Sequence, residues 1–244
     1  MAQNTFAWPD GTRAALSLTF DDARPSQVEK AVPLLNEFGL HATFYVSPAR
    51  MESRIELWRE AAATGHEIGN HTNSHPCSGN FPFSRSNALE DYTLERLERD
   101  ILDANETILA AAGAEARTFA YPCGQKFVGR GEKVQSYVPV ISKHFLVGRG
   151  AFDETHNDPS FVDLAQVAGV DADAVSFETL RAMVEQTVAA GGWLVLFGHE
   201  VGETARQTVH LDALARLCEL VANPRSGVWC DTVLTIGAHV IGSR

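Results

Sequence analysis

Two carboxylates stand side by side at Asp21-Asp22, where the apolar run Ala14–Phe20 (AALSLTF) ends. Successive side chains at a strand end point to opposite sides, so the pair could do two jobs, one turned to a metal and one to substrate and water. A helix N-cap is the competing role, because aspartate favours that position and a helical pattern follows. Further on, Asn70-His71-Thr72-Asn73-Ser74-His75-Pro76 sets two imidazoles four residues apart. On a helical turn, which Pro76 would stop, that step puts both on one side, the spacing of a two-histidine metal site. Such a site needs a third ligand, and an acidic one leaves a position open for water. His199 follows the most apolar strand of the chain, Trp193–Phe197, with Glu200 beside it to tune its protonation.

The elements that must position these residues alternate along the chain. Expected strands are Ala14–Phe20, Ala42–Val46, Glu67–Gly69, Thr118–Ala120, His144–Val147, Asp163–Val167, Trp193–Phe197 and Val228–Trp229. Between them, helical patterns run from Pro25 to Phe38, Glu56 to Ala63, Thr93 to Ala112, Ser176 to Ala190 and Val209 to Leu220, with a last turn after Thr232. Alternation of this kind implies a mainly parallel sheet with helices outside it, open or closed into a barrel. Asp21-Asp22, His71 with His75, Tyr121–Gly124 and His199 all fall at C-terminal ends of expected strands, the edge where parallel α/β folds keep their sites.

The 244 residues carry 31 acidic and 20 basic side chains, a net charge of −11. No Lys/Arg run is long enough to track a phosphate backbone or an anionic membrane, so neutral polymers or small molecules fit better as partners. Cys77, Cys123, Cys218 and Cys230 are widely spaced without a CxxC pair, which predicts reduced, mostly buried thiols. Met1–Thr5 shows no basic region leading into an apolar stretch, and no segment has a membrane span's length, so a cytoplasmic protein is expected unless a leader has been trimmed.

In order, Thr19–Asp22 (TFDD), His71–Pro76 (HTNSHP), Ala120–Gly124 (AYPCG) and Leu194–His199 (LVLFGH) resemble the motif set of the polysaccharide deacetylases, the family-4 carbohydrate esterases with a NodB homology domain. The resemblance covers about residues 12–240 and implies one domain over residues 1–244. It implies an α/β fold, a distorted (β/α) barrel of about seven parallel strands with outer helices. It also implies one divalent ion, zinc foremost, with cobalt, nickel, iron or manganese as alternatives. Carried over residue by residue, Asp21 is the general base, Asp22, His71 and His75 are the metal ligands, and His199 is the general acid. Tyr121, Pro122 and Cys123 form a wall of the substrate groove, with the Cys123 N–H helping to hold an oxyanion.

The implied reaction is hydrolysis of N-acetyl, or O-acetyl, groups of a poly- or oligosaccharide. Two alternatives stay open: an amidohydrolase of small cyclic or N-acyl compounds, and a non-catalytic carbohydrate-binding protein. The second is disfavoured because a binding module needs neither base nor acid. The chain also departs from the family pattern. Ala120 stands where the third motif commonly has the arginine that orients the base. Arg149, in a turn after a strand, is a candidate replacement, against the plainer reading of a solvated surface arginine. Asp171 is a candidate for the acid that supports the catalytic histidine. Cys123 replaces a frequent aromatic residue, and Cys77 reads as a small buried thiol.

Overall fold

The computed structural model describes residues 6–203 and 205–244; the Met1–Thr5 stretch read above lies outside the described residues. Strands β1 (Ala14–Asp21), β2 (Thr43–Val46), β3 (Glu67–Asn70), β4 (Thr118–Ala120), β5 (Phe127–Val128), β6 (Gln135–Ser136), β7 (Val147–Arg149), β8 (Val170–Asp171), β9 (Trp193–Gly198), β10 (Glu200–Gly202), β11 (Thr208–His210) and β12 (Val228–Cys230) are joined by loops and helices. The helices are α1 (Val32–Glu37), α2 (Ile55–Ala63), α3 (Leu94–Ala112), α4 (Val138–His144), α5 (Phe177–Ala190), α6 (Leu211–Ala222) and α7 (Val233–Gly242).

One parallel sheet runs β7-β4-β3-β2-β1-β9-β8, with β12 added beside the first half of β1. A parallel bridge between Arg149 and Val167 links β7 to the segment leading into β8, so the two sheet edges approach one another. This curled sheet with outer helices is the distorted (β/α) barrel that the motifs implied. All eight residues of β1 are buried, which is why its sequence is a continuous apolar run rather than an alternating one. Helix α3 buries Leu97, Ile101, Ala104, Ile108 and Ala112 as one stripe, is capped by the Thr93 side chain and ends at Gly113 in the left-handed conformation.

Several expected elements shift. The helix read from Pro25 to Phe38 opens with a π-wound turn, Gln27–Ala31, before α1. Pro33 has no N–H to close the ordinary i→i−4 ladder there. The expected strand His144–Val147 begins only at Val147, because Val138–His144 is helical with Pro139 in its first turn. The expected strand Asp163–Val167 is a 3-10 turn, Leu164–Gln166, whose Ala165 amide is held by the Asp163 carboxylate.

Glu67 on β3 is a buried acid that ties three elements together. It accepts hydrogen bonds from the Thr43 hydroxyl at 2.7 Å, the Thr118 hydroxyl and the Leu234 amide at 3.0 Å. Burial pushes its pKa up, against those donors. Removing the acceptor would strand buried donors at a cost of about 1–3 kcal/mol each. Glu67→Ala should therefore destabilise the fold by about 3 kcal/mol or more in urea, whereas Glu67→Gln, which can still accept from two of them, should cost about 1 kcal/mol. Equal losses for both variants would contradict this reading.

Candidate metal centre and active site

Asp22, His71 and His75 converge at the C-terminal edge of the sheet, their ligand atoms all within 4.8 Å of one another. His75 Nε2 lies 3.3 Å and His71 Nε2 3.9 Å from Asp22 Oδ1. The His71 amide donates to the Val46 carbonyl at 3.0 Å, continuing the β3 register past the strand end. Its ring is fixed by an Nδ1 hydrogen bond to the Ala120 carbonyl at 2.9 Å, which puts the proton on Nδ1 and leaves the Nε2 lone pair facing Asp22.

The segment from His71 to His75 is not the helical turn expected. Thr72 and His75 both have left-handed backbones, at φ 65° and 48°. The loop is held instead by side chains: Asn70 Oδ1 takes the Thr72 amide at 2.6 Å, Thr72 Oγ1 takes the His75 amide at 2.9 Å, and Asp100 of α3 takes the Asn73 and Ser74 amides. Asp22 and Ala23 are left-handed too, as are Cys123 and Phe152, so six of the eight non-glycine residues with positive φ among those described border this edge. Strained backbone of this kind persists where the surroundings over-determine it, and it gathers at functional sites.

Burial pushes the pKa of Asp22 up, but His71, His75, Arg50 and Arg24 together hold its carboxyl well below the usual range. Burial lowers His71 despite Asp21 and Asp22, and burial with the neighbouring His71 lowers His75 to about 4. Both imidazoles are thus neutral at neutral pH, the state that binds a metal. Asp22 Oδ1 is buried with no hydrogen-bond partner, since Arg50 Nη1 at 3.0 Å is off the line that a hydrogen bond needs. A carboxylate oxygen left in this way between two neutral histidines fits a divalent cation.

Asp21 is buried beside this cluster, and Arg149, with no accessible surface, binds its Oδ1 while donating to the Gly150 carbonyl at 2.9 Å. The guanidinium lies between the Tyr45 and Phe197 rings, 5.1 and 5.0 Å from their centroids. Tyr45 in turn packs against Gly69, where a Cβ would meet its ring at 2.6 Å. The surface-arginine reading of Arg149 is therefore wrong: it is fully buried, and it extends from β7, whose register pairs it with Ala120 on β4.

His199 is supported by Asp173, not by Asp171 or Glu200. Its Nδ1 is 2.5 Å from Asp173 Oδ2, and its amide donates to Asp173 Oδ1 at 3.0 Å. Asp171 accepts the Asp173 amide at 2.9 Å and so shapes the turn that presents Asp173. Glu200 accepts from the Ser26 hydroxyl instead. Burial lowers the His199 pKa, but the Asp173 hydrogen bond and the charges of Asp21, Asp173 and Asp22 outweigh it and raise the value. Gln27, unremarked in the sequence, donates from Nε2 to the carbonyls of both Asp21 and His199, at 2.6 and 2.9 Å, and ties those two segments together.

The third motif departs most from expectation. Tyr121 turns its ring into the core and donates its hydroxyl to the Ala165 carbonyl at 2.7 Å, so its side chain is no part of a groove wall. Pro122 is buried as well. Cys123 is joined to Cys77 in a disulfide, with Cα atoms 6.1 Å apart. Four reduced cysteines were expected because no spacing marked a pair, but pairing follows Cα proximity in the fold, and 46 residues separate these two. Cys218 and Cys230 are free, and burial pushes both thiols up in pKa.

A curled parallel α/β sheet with a carboxylate–imidazole cluster at its C-terminal edge defines the class. The sequence model of the family described as polysaccharide deacetylase matches residues 9–135, just over half of the chain. The chain belongs to that family. It is 34% identical over 117 residues to a chitooligosaccharide deacetylase of Sinorhizobium fredii, an alignment covering 47% of this chain and 49% of that one. The chain spans less than half the length of the curated relatives it matches. Its fold is similar to that of a Mycobacterium smegmatis protein described as a polysaccharide deacetylase, with TM-score 0.70, 19% identity and coverage of 97% and 93% of the two chains. It is also similar to a Clostridium thermocellum family 4 acetyl xylan esterase solved with a cobalt ion, with TM-score 0.61, 21% identity and coverage of 94% and 93%.

The disulfide can be checked directly. Thiol titration of denatured, unreduced protein should find two free thiols, Cys218 and Cys230, and Cys77→Ser should lower stability by about 4 kcal/mol or less, the chain-entropy value for a loop of this length. Four free thiols would remove the crosslink from the site.

Proposed function

We propose that this protein is a metal-dependent carbohydrate deacetylase that hydrolyses acetyl groups of an oligo- or polysaccharide. The observation that carries the reading is the setting of the Asp22, His71 and His75 cluster between two hydrogen-bonded pairs, Asp21 with Arg149 and His199 with Asp173. A binding module would need the cluster at most, not a buried base and a supported acid around it.

A divalent ion held by Asp22, His71 and His75 would supply Lewis-acid polarisation of the acetyl carbonyl and acidify a water. Asp21 is placed to take a proton from an attacking water, and Arg149 keeps the carboxylate aimed by holding Oδ1. The Cys123 N–H, on a turn fastened by the disulfide, donates to the oxygen on which negative charge develops. His199, its Nδ1 on Asp173, presents Nε2–H to the leaving nitrogen or oxygen. Nothing in this chemistry distinguishes an amide from an ester, so the same residues serve either acetyl linkage.

The two adjacent aspartates should separate cleanly. Asp22→Asn should weaken zinc binding, measured by calorimetry, by about 100-fold or more, since even outer-shell changes cost about 10–100-fold. Asp21→Asn should keep the ion and lose about 10²–10⁴-fold in acetate release from N-acetylated oligosaccharides. Near-normal turnover by metal-loaded Asp21→Asn would end the mechanism.

The pH profile gives an independent check. His199 must be protonated to act as acid, so activity falls as pH rises through its pKa, which Asp173 raises. Asp173→Asn should therefore move the descending limb of kcat/KM to lower pH. A limb that stays in place would assign it to another group.

A further inference from the structure

His75 differs from His71 in what its second ring nitrogen faces. The Nδ1 of His71 is committed to the Ala120 carbonyl, so that ring presents a lone pair only from Nε2. On His75, Nε2 faces Asp22 at 3.3 Å, while Nδ1 faces a sulfur, Cys77 Sγ at 3.7 Å. Cys123 completes a second group: the ligand atoms of His75, Cys77 and Cys123 all lie within 4.8 Å of one another. A neutral imidazole has one lone pair to give, from whichever nitrogen lacks the proton. His75 can therefore serve the carboxylate side or the sulfur side, not both.

The two sulfurs are bonded to each other, which leaves them no charge for a cation. Breaking that bond would not scatter them. Cys77 is wholly buried, its amide donating to Ser84 Oγ at 2.9 Å and its carbonyl accepting from the Leu89 amide at 3.0 Å. Cys123 sits in the Pro122–Gly124 turn, closed by the Gly124 and Gln125 amides on the Tyr121 and Pro122 carbonyls. Gln125 Oε1 also accepts the Ser78 amide at 2.6 Å, a link between the two loops that owes nothing to the crosslink. A tetrahedral zinc, with Zn–S about 2.3 Å and Zn–N about 2.0 Å, needs sulfur and nitrogen about 3.5 Å apart, close to the 3.7 Å already present. Its two sulfurs would part to about 3.8 Å, a separation that side chains on Cα atoms 6.1 Å apart can reach.

We propose that reduction of Cys77–Cys123 creates a second metal site, two thiolates and His75 Nδ1, which takes the ion from the Asp22, His71 and His75 centre. The inference rests on that centre and on the deacetylase reading. A dithiol reductant supplies two electrons and two protons, the S–S bond breaks, and the reductant closes to its own disulfide. Both protons leave when the cation binds the sulfurs. Thiolates are soft ligands that suit zinc. The new set brings two negative charges to a divalent ion, whereas Asp22 brings one, which it shares with Arg24 and Arg50. Acetate release would then belong to the oxidised chain alone.

The probe is one equivalent of cobalt(II), whose bonds to thiolate give an intense near-ultraviolet charge-transfer band. The full chain is reduced with a phosphine, which is removed before cobalt is added without air. The reduced chain should show the band and lose most of its acetate release from N-acetylated oligosaccharides, and reoxidation should reverse both. Cys218 and Cys230 are thiols in either form, so the oxidised chain, which should lack the band, is the baseline. Cys77→Ser combined with Cys123→Ser should show no band after reductant. His71→Ala, which removes a ligand of the first centre only, should keep the band on reduction. No band in the reduced wild type overturns the proposal, and so does a loss of acetate release without one, the mark of a merely loosened turn. A band with undiminished release overturns the exchange as well. Should the oxidised chain release no acetate, the deacetylase reading fails, and the band with its persistence in His71→Ala still decides the sulfur site.

Discussion

The site depends on one desolvated ion pair. Arg149 leaves the end of β7 and Asp21 the end of β1, strands four places apart in the sheet order, and the guanidinium reaches the carboxylate only because the sheet curls. Both partners are almost wholly buried, so each is tolerable only in the presence of the other; deleting one side of such a pair typically costs about 3–5 kcal/mol. The pair thus reports on closure of the barrel as well as on the orientation of Asp21. The Arg149–Val167 bridge beside it is the backbone counterpart of the same closure.

Around that pair, the rim is built from short loops whose geometry is imposed by hydrogen bonds rather than by helical or sheet ladders. Asn70 shows the pattern: Oδ1 bends the chain at Thr72, while Nδ2 anchors the residue to the Ile101 carbonyl and to Asn105 on α3. The ligand loop is therefore fastened to a long helix at one end and to the third motif, through Cys77–Cys123, at the other. That fastening holds two neutral imidazoles in place beside the Asp22 carboxylate, so that a cation would bind there at a lower ordering cost.

Much of the fold was legible because buried parallel strands are continuous apolar runs that end in polar residues, as at Ala14–Phe20 before Asp21-Asp22 and Trp193–Phe197 before His199. The candidate site residues Asp21, Asp22, His71 and His199 lie at or just past such strand ends. What escaped reading were features set by proximity in three dimensions. Cys77 and Cys123 carry no spacing signal. Asp173 was passed over for Asp171 because strand position, not the two-residue turn that follows, guided the choice. Arg149 could be named as a candidate, but its burial between two aromatic rings depends on the curl of the whole sheet. The short pairs β5–β6 and β10–β11 are two or three residues long, below the length at which periodicity can speak.

Gly69 has no polar side chain and lies in the middle of a strand, yet it bears on the chemistry. Its missing Cβ leaves room for the Tyr45 ring, and that ring is one of the two plates holding the Arg149 guanidinium. Positions 69 and 45 are therefore not free to drift independently in evolution. A larger residue at 69 becomes acceptable only after a smaller one has arrived at 45, and the intermediate genotype in either order disturbs the Arg149–Asp21 pair. Lineages that diverge from this chain should thus change the two positions as a pair, and the path between them crosses a fitness valley whose depth is set by a guanidinium that neither residue bonds.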